Sequence, residues 1–234
     1  MKAILLSAGY GTRLKPLTDI QPKCLLAING KPLLYHWLDL LENENISEVL
    51  INTHHLAEKI GKSIKQRKNK IKITLSFEPQ LLGSAGTIFA NKKYLEKEEN
   101  FLLLYSDNLT NVSLSDIINF HKQVDSIFTT FVYETENPTE KGIFEYDAKT
   151  GKVLSFEEKP RHPKSNIANA GIGVLNKQIF NYYSPDTPLD FGNIIMPLIT
   201  DKMYVLKTDK HIIDIGSVAD YQAAQEIWGK LIKK

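Results

Sequence analysis

The sequence predicts an α/β fold with a Rossmann-like, doubly wound sheet that is mixed but mostly parallel and carries a small antiparallel extension. Short apolar runs alternate with helical stripes through the first half of the chain, as in sheets covered by helices on both faces. The second half has shorter apolar runs broken by Pro and Gly, which are typical of antiparallel strands. The chain has 234 residues, of which 42% are apolar and 24% charged, and this composition suits a globular fold.

The first half contains apolar runs of strand length with helical stripes between them. The predicted strands cover residues 2–7, 48–53, 71–77, 101–106 and 126–133. The predicted helices cover residues 33–45, 57–64, 83–90 and 114–124. Strands joined through helices pair in parallel, and ligands bind beyond the carboxyl ends of such strands. The chemistry is therefore expected at residues 7–13, 53–55, 78–86 and 106–108.

The second half predicts the extension and a closing helix. Short strands are expected at residues 142–146, 153–157 and 171–175, then a helix at 190–199, a strand at 211–216 and an amphipathic helix at 217–231. No repeat, low-complexity stretch or linker interrupts the sequence. We therefore predict a single domain over residues 1–234 with two lobes, at about 1–135 and about 136–234.

Composition and charge argue against several classes of protein. The formal net charge is +2, and no basic run is interleaved with aromatic residues, so no nucleic-acid partner is expected. The basic cluster between Lys62 and Lys72 is interpreted as a solvated helix end. Cys24 is the one cysteine, which excludes an intrachain disulfide and a cysteine-rich zinc site. The apolar runs are too short for a membrane helix, so we expect a cytoplasmic protein with no membrane partner.

The first strand ends in a glycine-rich loop, SAGYGTRLKPLT, at residues 7–18. Its two glycines do not open a dinucleotide fingerprint, because Leu14 stands at the third glycine position. Glycines at a strand end nevertheless expose backbone N–H groups to an anion. Arg13 and Lys23 add positive charges that suit phosphoryl oxygens. The loop therefore predicts a phosphate site, and the structural alternative is a tight turn flanked by solvated cations.

Further motifs follow this loop, and together they carry a family resemblance. The segments SAGYGTRLKPLT, PKCLL and NGKPLL resemble the signature of the sugar-phosphate nucleotidyltransferases, or nucleotide-sugar pyrophosphorylases. The likeness continues through FEPQLLGSAGTI, LYSDNL, FEEKP, ANAGIGV and DIGSVADYQAA. It covers the whole chain, which looks like a short core form similar to the mannose-1-phosphate guanylyltransferase-like members.

The resemblance implies a fold of the nucleotide-diphospho-sugar transferase type and a reaction. In that reaction a nucleotidyl group passes from an NTP to a sugar 1-phosphate, and pyrophosphate is released. The N-terminal lobe would bind the nucleotide and the C-terminal lobe the sugar, with Mg²⁺ as cofactor and the chain acting as a monomer or homodimer. Such chemistry needs positioning, charge neutralisation and a metal rather than a covalent intermediate.

The resemblance also implies roles for individual residues. Arg13, Lys23 and Asp107 are the expected catalytic residues, with Arg13 at the leaving pyrophosphate and Lys23 at the α-phosphate. Asp107 and Asp214 would hold Mg²⁺, a hard ion that prefers oxygen ligands. The nucleotide is expected to contact Leu6, Ala8, Gly9, Gly11, Thr12, Arg13, Lys23, Gln80, Gly83, Ser84 and Gly86. The sugar phosphate is expected to contact Gly142, Glu158, Lys159 and Asn169.

Structural alternatives exist for several of these residues. Asp107 could cap a turn and Asp214 could cap the helix that begins near Ser217, although the two matches together favour the metal. The cationic side chains of Arg13, Lys23 and Lys159 could be solvated at the surface, and Asn169 could satisfy a turn. His54 and His55 are interpreted as loop or wall residues. They are not expected to bind a metal together, because adjacent strand positions face opposite ways.

The sequence departs from the family pattern at two positions and in its length. Ser106 replaces a glycine beside the expected metal site, and Gly173 replaces an aromatic residue, which predicts a wider sugar pocket. Lys234 lies 20 residues after Asp214, so we expect the catalytic core alone, without a C-terminal extension.

The motif details favour guanylyl transfer to a mannose- or heptose-like 1-phosphate. A uridylyl- or thymidylyltransferase for another hexose 1-phosphate, and a cytidylyltransferase for a non-sugar phosphate, are alternatives. A non-catalytic nucleotide-sugar sensor is the alternative from another class of protein. The joint presence of Arg13, Lys23, Asp107, Lys159 and Asp214 argues against a sensor, which has no need of a metal pair.

Overall fold

A computed structural model of the chain describes residues 1–182 and 188–231. The strands in these ranges are β1 (Lys2–Leu6), β2 (Ala27–Ile28), β3 (Lys31–Pro32), β4 (Glu48–Thr53), β5 (Lys72–Phe77), β6 (Asn100–Tyr105), β7 (Asn108–Thr110), β8 (Phe128–Glu134), β9 (Gly142–Tyr146), β10 (Val153–Glu158), β11 (Ile167–Asn176), β12 (Met203–Lys207) and β13 (Ile212–Asp214). The helices are α1 (Leu17–Ile20), α2 (Leu33–Asn43), α3 (Ala57–Gln66), α4 (Gly83–Ala90), α5 (Lys92–Leu95), α6 (Leu114–Gln123), α7 (Met196–Leu198) and α8 (Val218–Leu231).

The central sheet is mixed and mostly parallel, with flanking helices, and the predicted fold class is confirmed. Its main strand order is β10-β9-β11-β6-β1-β4-β5, and β8 pairs with β11 and β12. The pairs β4–β5 and β8–β12 are parallel. Strand β11 is antiparallel to β6, β8 and β9, and β10 is antiparallel to β9. The β9–β10 pair is the antiparallel extension that the Pro- and Gly-broken second half predicts.

The apolar periodicity locates the long elements but does not find β7 and β12. Residues 108–110 form β7, which pairs with β13, and residues 203–207 form β12, which pairs with β8. Each of these strands is stabilised by a partner distant in sequence, so local pattern gives little signal for them. The helix expected at residues 190–199 forms as a π-helical turn, Phe191–Ile195, that continues into α7.

Two compact units divide the chain. One consists of Met1–Ile4, Leu82–Leu104 and Val112–Lys210, and the other of Leu5–Leu81, Tyr105–Asn111 and His211–Lys234. We call them the first and the second unit. In the described part of the chain, no helix is long and apolar enough to cross a membrane.

The core of the second unit anchors the glycine loop and the strand ends near it. Leu14 of the loop is fully buried there, together with Leu109 of β7 and Ile215, which follows β13. Trp228 of α8 packs into the same core. Burial of a large apolar side chain stabilises the fold by about 2 kcal/mol. The residues beside Leu14 and Ile215 are therefore held in fixed places, and these include Arg13 and Asp214.

A buried histidine marks the core of the first unit. His121 of α6 is only 4% exposed, and its ring nitrogens lie 2.8 Å from Thr129 Oγ1 and 3.0 Å from Asn100 Oδ1. Burial lowers the pKa of His121 from 6.5 to about 4, because the charged imidazolium loses its hydration. The folded protein therefore holds this ring neutral.

Acid is expected to weaken the first unit through His121. Since its pKa in the fold lies below the unfolded value, the stabilisation is complete above pH 6.5 and is lost as pH falls toward 4. Between pH 7.5 and pH 4.5, the unfolding free energy of the wild type should fall by about 2–3 kcal/mol more than that of His121→Gln. Urea unfolding at both pH values measures this difference. Parallel pH profiles for the two proteins would contradict the assignment of a neutral buried ring.

Candidate active site

The glycine loop of the second unit is shaped by a tight turn at Gly11. Its φ is +64°, and a Cβ there would lie 2.8 Å from Thr18 Cγ2. The Gly11 carbonyl accepts hydrogen bonds from Leu14 N at 2.9 Å and from Thr18 Oγ1 at 2.8 Å. An L side chain at position 11 would be strained by both the backbone angle and the contact. Glycine is therefore required here by the protein itself.

Gly9 differs from Gly11, because nothing in the protein requires it. A Cβ at Gly9 would meet no atom within 4 Å, and its φ lies outside the left-handed region. The residue is exposed, while the neighbouring Ala8 is buried. The loop thus presents open backbone at Gly9, which is the kind of surface that a phosphate can approach closely.

Alanine at these two glycines is expected to have different effects. Gly9→Ala should leave the free energy of unfolding within about 0.5 kcal/mol of the wild type. On the expectation that this loop is the phosphate site, the substitution should also raise the KM for NTP about tenfold, because the methyl group would crowd the phosphates. Gly11→Ala should cost about 1–3 kcal/mol of stability through the strained φ. Melting temperatures and steady-state kinetics check both. Unchanged NTP affinity in Gly9→Ala would show that this loop is not the phosphate site.

Lys23 and Asp107 form an ion pair in the second unit. The Lys23 ammonium donates to Asp107 Oδ2 at 2.8 Å, and the lysine side chain is 16% exposed. Asp107 lies in the turn between β6 and β7, where Ser106 N donates to Leu6 O at 3.1 Å. This bond ties the turn to the end of β1. The catalytic lysine and aspartate expected from the resemblance are thus in direct contact.

Asp214 reaches the same place through the β7–β13 pair. It lies opposite Asn108 in this antiparallel ladder, and Ile215 N donates to Asp107 O at 2.9 Å. The helix-capping alternative for Asp214 is not needed, because Ser217 serves that role. Asp220 N donates to Ser217 Oγ at 3.2 Å, which is the bond that an N-cap serine accepts, and Ser217 Oγ donates to Asp220 Oδ2 at 2.6 Å.

Arg13 lies beside the segment that follows Asp214. A Cβ at Gly216 would lie 3.0 Å from Arg13 Nη2, so the guanidinium packs against the bare backbone of that glycine. Arg13 is exposed, whereas the next residue, Leu14, is buried in the core. The second unit therefore brings together Arg13, Lys23, Asp107 and Asp214. It also contains Leu6, Ala8, Gly9, Gly11, Thr12 and the exposed Gln80 that follows β5.

The donor set at this place fits a hard divalent cation such as Mg²⁺. Two carboxylates, Asp107 and Asp214, stand on neighbouring strand ends. Within residues 1–182 and 188–231, no group of three or more His, Cys, Asp and Glu side chains could hold a metal by itself. Mg²⁺ commonly takes one or two protein carboxylates and completes its shell with water and phosphate oxygens, so a pair is a sufficient protein contribution.

The first unit contains the residues expected at the sugar phosphate. Glu158, at the end of β10, lies between two glycines: Cβ atoms at Gly142 and Gly192 would be 2.6 Å and 2.7 Å from its Oε2. Burial raises the pKa of Glu158, and the negative charge of Asp190 adds to that rise. A side chain at either glycine would therefore displace this carboxylate from its present position.

Lys159 and Asn169 are held by contacts within the first unit. Lys159 is exposed and has φ +49°, and its N–H donates to Lys141 O at 2.9 Å. Asn169 Oδ1 accepts from Thr130 Oγ1 at 2.9 Å and from Gly171 N at 3.1 Å. Asn169 therefore does not lie in a turn: its amide oxygen is bonded within β11, where the register with β8 shifts between Asn169 and Gly173.

The N-terminus of α4 is also occupied by contacts within the first unit. Ala85 N and Gly86 N donate to Leu189 O at 2.9 Å and 3.1 Å, and a Cβ at Gly83 would lie 2.6 Å from that oxygen. Ser84 Oγ accepts from Phe191 N at 2.7 Å and donates to Asp190 Oδ2 at 3.1 Å. These groups pack the segment 189–191 against α4.

Two expectations about departures from the family pattern change in the structure. Gly173 does not widen a pocket, because a Cβ there would lie 2.5 Å from Thr129 O and 2.6 Å from the Phe128 ring. Glycine at this position is required by the packing of β11 on β8. Ser106 is only 5% exposed and so presents little surface beside Asp107.

The sequence gives no indication of Asp190 or Gly192. Asp190 accepts from Asn193 N at 2.8 Å, which caps the following helical turn, and its charge acts on Glu158. Gly192 provides one side of the space that holds the Glu158 carboxylate. Neither residue belongs to a recognisable motif, and an aspartate before a helical segment is first interpreted as a cap.

Comparison with known proteins shows likeness over the whole chain. A model of the Nucleotidyl transferase family matches residues 2–229. The mannose-1-phosphate guanyltransferase beta-B of Xenopus laevis is 30% identical over 226 residues, which cover 94% of this chain and 62% of that protein. A UTP–glucose-1-phosphate uridylyltransferase of Synechocystis sp. is 30% identical over 255 residues, covering 100% of this chain and 65% of that protein. The chain thus spans less than two thirds of the length of these relatives.

A solved structure extends the comparison to three dimensions. The crystal structure of HddC from Yersinia pseudotuberculosis complexed with GMP-PN gives a TM-score of 0.81 at 28% sequence identity. The match covers 97% of this chain and 99% of that chain.

Proposed function

Because the chain belongs to the Nucleotidyl transferase family, we propose that it joins an NTP and a sugar 1-phosphate into a nucleotide-sugar and releases pyrophosphate. The observation that carries the proposal is the Lys23–Asp107 contact of 2.8 Å beside Asp214. A cation and two carboxylates at strand ends, next to a glycine loop with open backbone, suit the phosphates of an NTP.

The chemistry is an in-line displacement at phosphorus. An oxygen of the sugar phosphate forms a bond to the α-phosphorus, while the bond from the α-phosphorus to the bridging oxygen of the β-phosphate breaks. Negative charge builds on the α-phosphate oxygens and on the departing pyrophosphate. Lys23 neutralises the first, and Arg13, with its planar fork of N–H donors, binds the second. The backbone of Arg13 is anchored through its buried neighbour Leu14, while its guanidinium is exposed beside Gly216.

Asp107 and Asp214 are the residues that would hold Mg²⁺. When bound, the ion would supply a Lewis acid that neutralises phosphate charge. The carboxylate of Asp107 also has a role of its own, because it fixes the Lys23 ammonium in one place. A positive charge that is already positioned costs little reorganisation when the NTP binds.

The residues proposed for the sugar phosphate lie in the first unit. Lys159 would bind the attacking phosphate, and Glu158, beside Gly142, would accept hydrogen bonds from sugar hydroxyls. Asn169 is proposed as a further sugar contact, although its Oδ1 already serves Thr130 and Gly171. The division of the domain into a nucleotide lobe at about 1–135 and a sugar lobe at about 136–234 remains a prediction.

We propose guanine as the base and a mannose- or heptose-like 1-phosphate as the acceptor. Support comes from the guanyltransferase of Xenopus laevis and from the HddC complex with GMP-PN. Uridylyl transfer to glucose 1-phosphate is the second candidate, because the Synechocystis relative is named for that reaction. Gln80, exposed after β5, has the donor and acceptor groups needed to contact either base. A cytoplasmic location and a monomer or homodimer are proposed with this function.

The test is pyrophosphate release by the purified protein. Each of the four NTPs would be combined with Mg²⁺ and a panel of sugar 1-phosphates that includes mannose, heptose and glucose forms. We expect release with GTP and a manno-configured 1-phosphate, and none without the sugar phosphate. Release with UTP and glucose 1-phosphate alone would favour the second candidate. No release with any pair, despite NTP binding, would favour a sensor.

A further inference from the structure

The end of β4 and the residues that follow it contact the glycine loop of the second unit and α1 at four positions. Four residues between positions 52 and 59 make these contacts. The pairs are Asn52 with Ser7, His54 with Tyr10, His55 with Thr18 and Lys59 with Ile20. Residues near the start, the centre and the end of the loop, and the last residue of α1, are thus held by one wall, which is formed by residues 52–59.

The contact at Ser7 is supported by two buried polar side chains. Ser7 N donates to Asn52 Oδ1 at 2.6 Å, and Asn52 Nδ2 donates to Glu78 Oε1 at 2.9 Å. Asn52 is 4% exposed and Glu78 is 2% exposed. Because a carboxylate only accepts, Glu78 fixes which end of the Asn52 amide faces it, and the amide oxygen must then face Ser7. The first residue after β1 is therefore oriented by the ends of the next two strands in the sheet, β4 and β5.

His54 extends the same wall to the centre of the loop. Its Nδ1 donates to Glu78 O at 2.7 Å, and this bond leaves Nε2 as an acceptor in the neutral ring. The Tyr10 hydroxyl donates to that Nε2 at 2.8 Å. The two rings meet edge to face, with their centroids 5.2 Å apart. Tyr10 stands between Gly9 and Gly11, so this contact restrains the part of the loop between the two glycines.

The third and fourth contacts hold the chain beyond the turn. His55 Nε2 donates to Thr18 O at 2.8 Å, and the Lys59 ammonium donates to Ile20 O. Thr18 in turn fixes the Gly11 carbonyl through its hydroxyl. The two histidines are thus wall residues, as interpreted from the sequence, but the wall that they form supports the loop.

We propose that Asn52, oriented by Glu78, is a positioning residue that holds the glycine loop in its nucleotide-binding form before the nucleotide arrives, with His54 and His55 supporting the rest of the loop. The inference rests on the proposed function. A loop that must order itself on binding loses affinity to that ordering, whereas one held in advance does not. Gly9, whose Cβ position is empty, contributes no packing of its own, so the restraint comes from its neighbours.

The experiment compares Asn52→Leu with the wild type by two measurements. Leucine is close to asparagine in shape but neither accepts from Ser7 nor donates to Glu78. Hydrogen exchange without ligand should show the amides of residues 7–12 exchanging about tenfold faster or more. The KM for NTP should rise about tenfold, while the KM for the sugar phosphate stays within about twofold.

Conservative variants and a control separate positioning from general stability. Glu78→Gln keeps an acceptor for Asn52 and should be much milder than Glu78→Leu. Thr129→Val, at a fully buried threonine of the first unit, should lower the melting temperature without changing loop exchange. If Asn52→Leu does not fold, His55→Phe, which keeps a ring but loses the bond to Thr18, provides the same two measurements.

The two measurements also separate this inference from the proposed function. Unchanged exchange at residues 7–12 in folded Asn52→Leu would overturn the positioning role whatever the enzyme does. Equal losses of affinity for both substrates would also overturn it, since they would indicate a global effect. Faster exchange in a protein whose wild type turns over no NTP would support the restraint on the loop and remove the reaction assigned to it.

Discussion

Asp107→Asn is expected to lower kcat by about three orders of magnitude while the fold remains intact. The change removes one of two carboxylates that stand beside the glycine loop, and it also removes the charge that fixes Lys23 at 2.8 Å. Losing a positioned electrostatic group in a phosphoryl-transfer site costs about 10²–10³ in rate, and weaker metal binding adds to that loss.

The fold should tolerate this substitution for a structural reason. The side chain of Asp107 is 37% exposed, and β13 is anchored through the Asp107 carbonyl, which accepts from Ile215 N. Asparagine retains that carbonyl. Steady-state kinetics and a melting curve measure the two effects, with Asp116→Asn, an exposed carboxylate in the first turn of α6, as the matched control. Turnover within tenfold of the wild type would show that Asp107 is neither a metal ligand nor a catalytic residue.

Lys23→Ala is expected to lower kcat/KM by about 10²–10³. The same substitution is expected to strengthen the binding of a divalent ion to the free protein. Without the ammonium, the α-phosphate would lose the partner that we propose for it in the transition state. The same ammonium occupies the Asp107 carboxylate in the protein alone, so it competes with a metal for those oxygens. Removing it should make the carboxylate pair more attractive to a cation.

Mn²⁺ titration of the free protein, followed by its water-relaxation signal, measures the second effect. We expect a dissociation constant several-fold lower in Lys23→Ala than in the wild type. Lys31→Ala is the control, because Lys31 pairs with Asp39 elsewhere in the second unit. Weaker Mn²⁺ binding in Lys23→Ala would mean that the lysine supports the ion rather than competing with it.

Much of the fold follows from the sequence, because its long elements carry their own periodicity. The buried run of β1 and the apolar stripe of α2 are visible as patterns. The short strands β7 and β12 are not, since their stability comes from pairing with β13 and β8. Long-range pairing of this kind leaves little trace in a local window.

The candidate site shows the same division between local and distant information. Arg13, Lys23 and the aspartates belong to recognisable motifs, and the structure brings them together in one unit. The support of the loop by Asn52 and Glu78 could not be predicted, because it depends on which strand ends become neighbours. At Gly173 the prediction from the sequence was wrong. Its lack of a side chain suggested an open pocket, whereas backbone atoms and a phenylalanine ring fill that space.

The fate of the α-phosphorus tests the proposed reaction most directly. GTP labelled with ³²P at the α position would be incubated with the protein, Mg²⁺ and mannose 1-phosphate or a heptose 1-phosphate, and the products separated. Nucleotidyl transfer predicts that the label appears in a nucleotide-sugar, with one pyrophosphate released for each product formed. Label that remains in GTP, or that appears only in GMP, would contradict nucleotidyl transfer by this chain.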